Sequence, residues 1–259
     1  MQSDFLPISY HFDDDLTLYA ISDLHIGSPE HQEGRWKEFR AKLASEPNSR
    51  IVIVGDMINN ATRSSVSNVF EETVRPREQK RLLAEQLSEI RDKILCVTGG
   101  NHEARAGKDA DDAPLYDVCA KLDIEDIYRD NAAFLFLRMG DNRTNGNRNP
   151  TYSVCCTHST GGGIYTGAAV NRNERFGMMI DGLDVLITGH VHKGILTKPQ
   201  KLVINPQHNK VLAKDFTVVS ATPWMDYGGY ALRKMLTPAS TTLQTITFKR
   251  KEKRVEVTW

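Results

Sequence analysis

Short apolar runs that stop on polar motifs set the rhythm of this 259-residue chain. Residues 16–22 read as a buried strand ending directly on Asp23, and residues 51–54 as a strand buried on both faces that ends at Gly55-Asp56. Residues 94–98, 152–156 and 184–188 repeat the pattern, leading into Gly100-Asn101-His102-Glu103, Thr157-His158 and Gly189-His190-Val191-His192. Helical spacing fills the intervals, with Trp36, Phe39 and Leu43 inside 32–46, then Leu83, Leu87 and Ile90, then Leu115, Val118, Cys119 and Leu122. Val66, Val69, Phe70 and Val74 predict one further helix, which Pro76 interrupts.

From Lys201 onward the pattern is mainly strands, at 202–205, 216–220, 243–248 and 255–259. Alternating α/β units followed by a β-rich final third predict one α/β domain over residues 1–259. The turn formers from Gly140 to Pro150 mark a loop between strands at 132–137 and 152–156, and no internal repeat is present. The concentrated charge run Lys249-Arg250-Lys251-Glu252-Lys253-Arg254 lies between two strands and is expected at a solvated hairpin tip.

Composition narrows the partners. Lysine plus arginine balance aspartate plus glutamate at 33 each, so no global field draws the protein to nucleic acid or to an anionic membrane. A hydrophobic fraction of 40% suffices for a sizeable core. Cys96, Cys119, Cys155 and Cys156 show no CxxC spacing and are expected to be reduced and structural. The first ten residues lack a basic region followed by an apolar run, and no stretch approaches the roughly 20 apolar residues that span a bilayer. A soluble cytoplasmic protein is expected.

The strand-end motifs hold the chemistry. Imidazoles, carboxylates and one amide oxygen are ligand types for borderline divalent metals, and Asp23, His25, Asp56, Asn101, His158, His190 and His192 are too many for one four-ligand ion. Ligand sites of α/β sheets gather beyond the carboxyl ends of strands, where loops converge. Gly27, Gly55, Gly99, Gly100 and Gly189 accompany the ligands and allow tight turns. In Asp23-Leu24-His25 and His190-Val191-His192 the i, i+2 spacing points both side chains to one face if the backbone is extended. A two-metal hydrolase with Asp56 shared between the ions follows.

In this order the motifs DxH, GD, GNH(D/E), H and GHxH, from Asp23 to His192, resemble those of the calcineurin-like metallophosphoesterases without a gap. The resemblance implies a four-layer αββα sandwich, a first ion on Asp23, His25, Asp56 and His192, and a second on Asp56, Asn101, His158 and His190. It also implies attack of a metal-bridging hydroxide on phosphorus, with His102 as the acid for the leaving oxygen and Asp23 or Glu103 holding that imidazole. His25 is present and Asp56 is followed by Met57-Ile58-Asn59, which departs from the purple acid phosphatases. The stretch 55–61 likewise lacks the aspartate, arginine and glycine of the protein Ser/Thr phosphatases.

A donor set without thiolate suits manganese first, with iron, zinc or nickel as alternatives. Arg105 and the backbone of Gly161 and Gly162, in the run 161–163, are candidate phosphate contacts, while Arg143, Arg148, Arg172 and Arg175 are expected in solvated loops. Tyr152, Tyr165, Phe176, Trp224 and Tyr227 are candidates to stack on a base, although aromatics near strand ends are more often core. His11, His31 and His208 fall outside the motifs and are expected at the surface. The expected activity is hydrolysis of phosphodiesters in nucleotides or nucleic acid. Competing readings are a phosphomonoesterase acting on a small phosphorylated metabolite and a non-catalytic scaffold of the same fold. Only residues 193–259 follow His192, which weighs against a nuclease with a DNA-gripping region of its own.

Overall fold

The computed structural model describes residues 3–63, 65, 68–140 and 149–259. Among them the strands are β1 (Ile8–Phe12), β2 (Leu16–Ile21), β3 (Ser49–Val54), β4 (Ile94–Thr98), β5 (Tyr128–Arg129), β6 (Ala132–Met139), β7 (Thr151–Thr157), β8 (Val185–Thr188), β9 (Ile195–Thr197), β10 (Gln200–Asn205), β11 (Lys210–Asp215), β12 (Thr217–Ser220), β13 (Thr245–Phe248) and β14 (Val255–Thr258). The helices are α1 (Glu33–Ser45), α2 (Pro76–Ser88), α3 (Asn101–Ala110), α4 (Pro114–Lys121), α5 (Thr166–Met178) and α6 (Gly229–Arg233). One six-stranded sheet runs β14-β13-β2-β3-β4-β5 and the other β1-β6-β7-β8-β12-β9, with β10 and β11 as a separate hairpin.

The continuous apolar runs are strands covered on both faces. Leu16, Leu18, Ala20, Val52 and Val54 face the second sheet, sharing a core with Leu135, Leu137, Val154 and Ile187. Alternate residues Tyr19, Ile21, Ile51 and Ile53 turn the other way, onto Trp36, Phe39 and Leu43 of α1 and Leu83 and Leu87 of α2. On the far face of the second sheet, Cys155, Leu186 and Val218 meet Phe176 of α5. The layers are therefore helix, sheet, sheet, helix, and each buried aliphatic side chain contributes about 1.5–3 kcal/mol by leaving water. Register then levels the strand ends, since Ile21 pairs with Ile53, Val54 with Thr98, and Thr157 with Thr188.

Several local expectations change. Val69–Glu71 form a single 3-10 turn instead of an α-helix, and Pro76 opens α2 at its first turn, where its missing N–H is no loss. Phe70 is 96% exposed, so the apolar spacing there has no core to meet. Val66, Arg143 and Arg148 lie outside the described residues. Arg172 and Arg175 belong to α5, a helix whose run of glycine, alanine and polar residues concealed it. The unexpected strands β1, β9 and β11 are short or exposed, and too few residues alternate to announce them. Residues 249–254 do join the antiparallel pair β13 and β14, and all four cysteines are buried and free. Among the described residues no helix is long and apolar enough to cross a membrane.

Candidate metal centre

Loops from both sheets meet at one edge. Asp23 and His25 follow β2, Asp56 follows β3, Asn101 and His102 open α3 after β4, His158 follows β7, and His190 and His192 follow β8. Asp23, His25, Asp56, His190 and His192 all have positive φ, between 48° and 72°. That conformation costs an ordinary residue about 1–2 kcal/mol and is best tolerated by Asp, Asn and His. The i, i+2 pairs thus share a cluster through left-handed turns, which corrects the extended backbone expected for them. Backbone bonds fix these curls, with Asp23 N–H on the Gly55 carbonyl at 3.2 Å, His25 N–H on that of Asp56 at 3.0 Å and Trp224 N–H on that of Asp23 at 3.2 Å. Gly55 has φ 81°, and a Cβ there would lie 2.6 Å from the Cα of Gly100 and 2.7 Å from Nδ1 of His158.

The side chains form two groups, linked by a third in which donor atoms of His25, Asp56 and His102 come equally close. In the first, donor atoms of Asp23, His25 and His192 all lie within 4.8 Å of one another; in the second, those of Asp56, His158 and His190 do. Asn101 completes the second, its Oδ1 2.7 Å from Nδ1 of His190 and 3.1 Å from Nε2 of His158. Oδ2 of Asp56 stands between them, 3.1 Å from Nε2 of His158 and 3.9 Å from Nε2 of His25. The Nδ1–H of His158 donates to the Val54 carbonyl at 2.6 Å, which leaves its Nε2 lone pair aimed into the cluster.

This donor set fits divalent cations. Nε2 of His25 and Nε2 of His192 approach to 3.0 Å, and His190 Nδ1 and His158 Nε2 to 3.3 Å, contacts that repel unless a proton or cation lies between the lone pairs. Nδ1 of His25 is buried without a hydrogen-bond partner, a costly state for a polar atom, and the buried Oδ1 of Asp23 faces Nε2 of His192 at 3.1 Å. In metal-free form the carboxylates compensate with imidazole charge. Burial pushes Asp56 and Asp23 up, but His158 beside the first and His192 beside the second hold both well below the ordinary carboxylate range. In return Asp56, against burial, lifts His158 to about 10, and Asp23 raises His192.

His102 sits beside this cluster, with Nε2 3.8 Å from Oδ2 of Asp56 and its ring edge-on to His25. The carboxylate expected to hold it is replaced by a backbone group. Its Nδ1–H donates to the Asn59 carbonyl at 2.8 Å, and Arg105 donates to Nε2 at 2.9 Å. Burial, reinforced by His25, pushes its pKa down to about 3 and keeps the ring neutral. Asp23 belongs instead with His25 and His192, and Glu103 with backbone. One oxygen of the buried Glu103 accepts the N–H groups of Asp56 at 2.9 Å and Gly100 at 3.1 Å; the other accepts those of Met57 at 2.8 Å and Ile58 at 3.2 Å.

A second tier escaped the sequence reading. Asn60 donates to the His102 carbonyl at 2.9 Å, and its own N–H meets Oε1 of the fully buried Gln79 at 2.9 Å. Glu72 accepts from Nδ2 of Asn59 and the N–H of Ala61, each at 2.9 Å. One signal was present, because Gln79 precedes Leu83 and Leu87 by four and eight residues and so interrupts the inward stripe of α2 with a polar group.

The remaining candidates divide by burial. Gly161 and Gly162 are exposed, and Arg172 packs on Gly161 while donating to the Gly162 carbonyl at 3.4 Å. Tyr152, Phe176 and Trp224 are structural: the Tyr152 hydroxyl bonds the Lys249 carbonyl at 2.6 Å, Phe176 lies against the outer core, and Trp224 packs on Trp36 and Phe39. Tyr165 and Tyr227 stay exposed. His11 and His208 are at the surface as expected, whereas His31 is half-buried with Nδ1 on the Leu24 carbonyl at 2.7 Å.

The calcineurin-like phosphoesterase family model matches residues 16–194. No curated protein shows a significant match. Among solved structures, the chain is similar to a conserved uncharacterized protein, a predicted phosphoesterase, of Streptococcus pneumoniae TIGR4, with TM-score 0.39 and 10% identity over 94% of this chain and 88% of that one. It is similar also to the calcineurin-like phosphoesterase YfkN of Bacillus subtilis, with TM-score 0.40 and 13% identity over 94% and 88%. Vps29 of Chaetomium thermophilum gives TM-score 0.40 and 10% identity over 94% and 96%.

Proposed function

This chain belongs to the calcineurin-like phosphoesterase family, and we propose that it is a phosphodiesterase working with two divalent cations, manganese first, on nucleotides or nucleic acid. The observation that carries this reading is the pair of His/Asp groups linked through His25 and Asp56, with His102 beside them. Asp23, His25, Asp56 and His192 would hold one ion, and Asp56, Asn101, His158 and His190 the other. Two such ions supply a water activated near neutral pH and positive charge for an in-line displacement at phosphorus.

The chain's own groups do the rest. Nε2 of His102 is the position from which a proton reaches the leaving oxygen, and the Asn59 carbonyl on Nδ1 steadies the ring as it takes that proton up. A bound phosphodiester brings negative charge toward His102 and so favours its protonated form. Arg105, already donating to Nε2 of His102, has a planar fork that suits a phosphate oxygen, and the Gly161 and Gly162 backbone offers a further contact. The cluster is open, with Asn101 exposed and the His192 side chain 42% exposed, which supports a diester substrate over an enclosed small monoester.

The test is one panel on purified protein with Mn²⁺: a bis-aryl phosphodiester, an aryl monophosphate, cyclic nucleotides, and single- and double-stranded DNA, beside metal analysis. Turnover of diesters with about two ions per chain is expected. Preference for the monophosphate would make it a monoesterase, and metal without any turnover would leave a scaffold.

A further inference from the structure

We infer that Asn173 of α5 is a positioning residue for the ion assigned to Asp56, Asn101, His158 and His190, setting the directions of both imidazoles from the helix side of the second sheet. The inference rests on the metal centre of the reading above. Asn173 is 2% exposed and faces the sheet between Ala169 and Gly177, four residues before and after it. A Cβ at Gly177 would collide with the Phe216 ring, so glycine seats α5 close enough for a short amide to reach the strands. Leu186 of β8 and Val218 of β12 belong to the apolar core on this face. Two residues further along, the strands end side by side on the buried Thr188 and Ser220. An apolar pair there would continue that core. Instead the Asn173 amide donates to both hydroxyl oxygens, to Thr188 at 3.0 Å and to Ser220 at 3.1 Å, and the two hydroxyls bond each other at 2.7 Å. Its Oδ1 accepts the Ser159 hydroxyl at 2.9 Å.

Two of these bonds end beside a ligand. Ser159 directly follows His158 and holds φ 71°, a left-handed backbone that a serine keeps only when its surroundings impose it. Its hydroxyl on Asn173, with its N–H on Oγ1 of Thr157 at 3.4 Å, imposes that turn. Thr188 stands two residues before His190, and the Gly189 N–H on the His158 carbonyl at 3.3 Å joins the two loops. One amide therefore clamps the ends of β7 and β8 as a unit, and with them the 3.3 Å approach of His190 Nδ1 to His158 Nε2. A buried polar network whose members find partners is rigid, which is what a pair of metal ligands needs behind it. Asp23 and His25 follow β2 in the other sheet, away from this clamp.

The experiment titrates Mn²⁺ calorimetrically, without substrate, in two backgrounds: His25→Ala, which keeps the group of Asp56, Asn101, His158 and His190 whole, and His190→Ala, which keeps the group of Asp23, His25 and His192. Adding Asn173→Ala should weaken Mn²⁺ about 10- to 100-fold in the His25→Ala protein, the range for losing a group that orients metal ligands, and clearly less in the His190→Ala protein. Ser159→Ala should reproduce part of the loss, and the two losses should not multiply when combined, because both substitutions cut the same bond. Melting in EDTA reports folding, and should Asn173→Ala fail to fold, Ser159→Ala in the same two backgrounds decides. An amide with a merely structural role would lower the melting temperature and weaken Mn²⁺ equally in both backgrounds, which overturns the proposal. Unchanged affinity in both, or losses that simply multiply, overturns it as well. Diester turnover by a protein whose Mn²⁺ affinity ignores Asn173 and Ser159 leaves the phosphodiesterase standing without this clamp; the expected Mn²⁺ pattern without turnover of any diester does the reverse.

Discussion

Replacing Glu103 by alanine deletes the two oxygens that accept the N–H groups of Asp56, Met57, Ile58 and Gly100 at 2.8–3.1 Å and 3.2 Å. All four donors are in buried residues, and the nearest replacement acceptor is water that must enter a packed loop. A buried donor without an acceptor costs about 1–3 kcal/mol, so four place the loss at roughly 4 kcal/mol even at the low end. Unfolding entropy near 60 °C is about 2.1 cal/mol/K per residue, and for a chain of this length the melting temperature should fall by about 7 °C. Glu103→Gln keeps one acceptor oxygen but turns an amide NH₂ toward two of the donors, so about half that fall is expected. Because Asp56 rides on the loop that Glu103 holds, Mn²⁺ should also bind about 10- to 100-fold more weakly in Glu103→Ala. Calorimetry in EDTA reads the first effect and titration with Mn²⁺ the second. A fall below about 2 °C with unchanged Mn²⁺ affinity would refute the argument, since it would mean that these donors do not depend on the carboxylate.

Three further outcomes follow from the same geometry. His102→Ala should keep both ions by elemental analysis and lose about 10²- to 10⁴-fold in kcat, whereas Asp56→Ala should lose the metal itself; full activity without the imidazole would remove the acid from the scheme. Gly55→Ala puts a Cβ against Gly100 and His158 at φ 81°, and a loss above about 3 kcal/mol in urea unfolding is expected, while an unchanged midpoint would show that the two loops part freely. In EDTA, stability should peak near pH 6.5. His158, raised from 6.5 to about 10, contributes fully below 6.5 and loses that contribution as pH rises toward 10. His102, lowered to about 3, leaves the unfolded chain binding the extra proton below 6.5, so stability also declines toward acid, and Asp56 adds to this below the ordinary carboxylate range. A urea midpoint that rises steadily from pH 6.5 to 9 would contradict this sign.

The alternating strands and helices were legible before any coordinates, and the family resemblance added the four-layer sandwich. A strand covered on both faces must be apolar throughout, so residues 51–54 and 94–98 declare themselves, and a polar motif directly after such a run has only the strand's end to occupy. Asp23, His25, Asp56, Asn101, His158, His190 and His192 lie close together at that edge. Tertiary structure alone decided what each polar group touches. Glu103 reaches the N–H of Asp56 47 residues away and His102 is held by a carbonyl 43 residues away, pairings set by which strands lie side by side. Phe70 has the spacing of a buried helical residue and stands in solvent, because Pro76 starts α2 beyond it and no layer covers residues 69–71. Periodicity reports how a segment divides between water and core, averaged along its length. The partner of a single buried donor or acceptor depends on a backbone arriving from elsewhere in the chain, and local pattern contains no record of that approach.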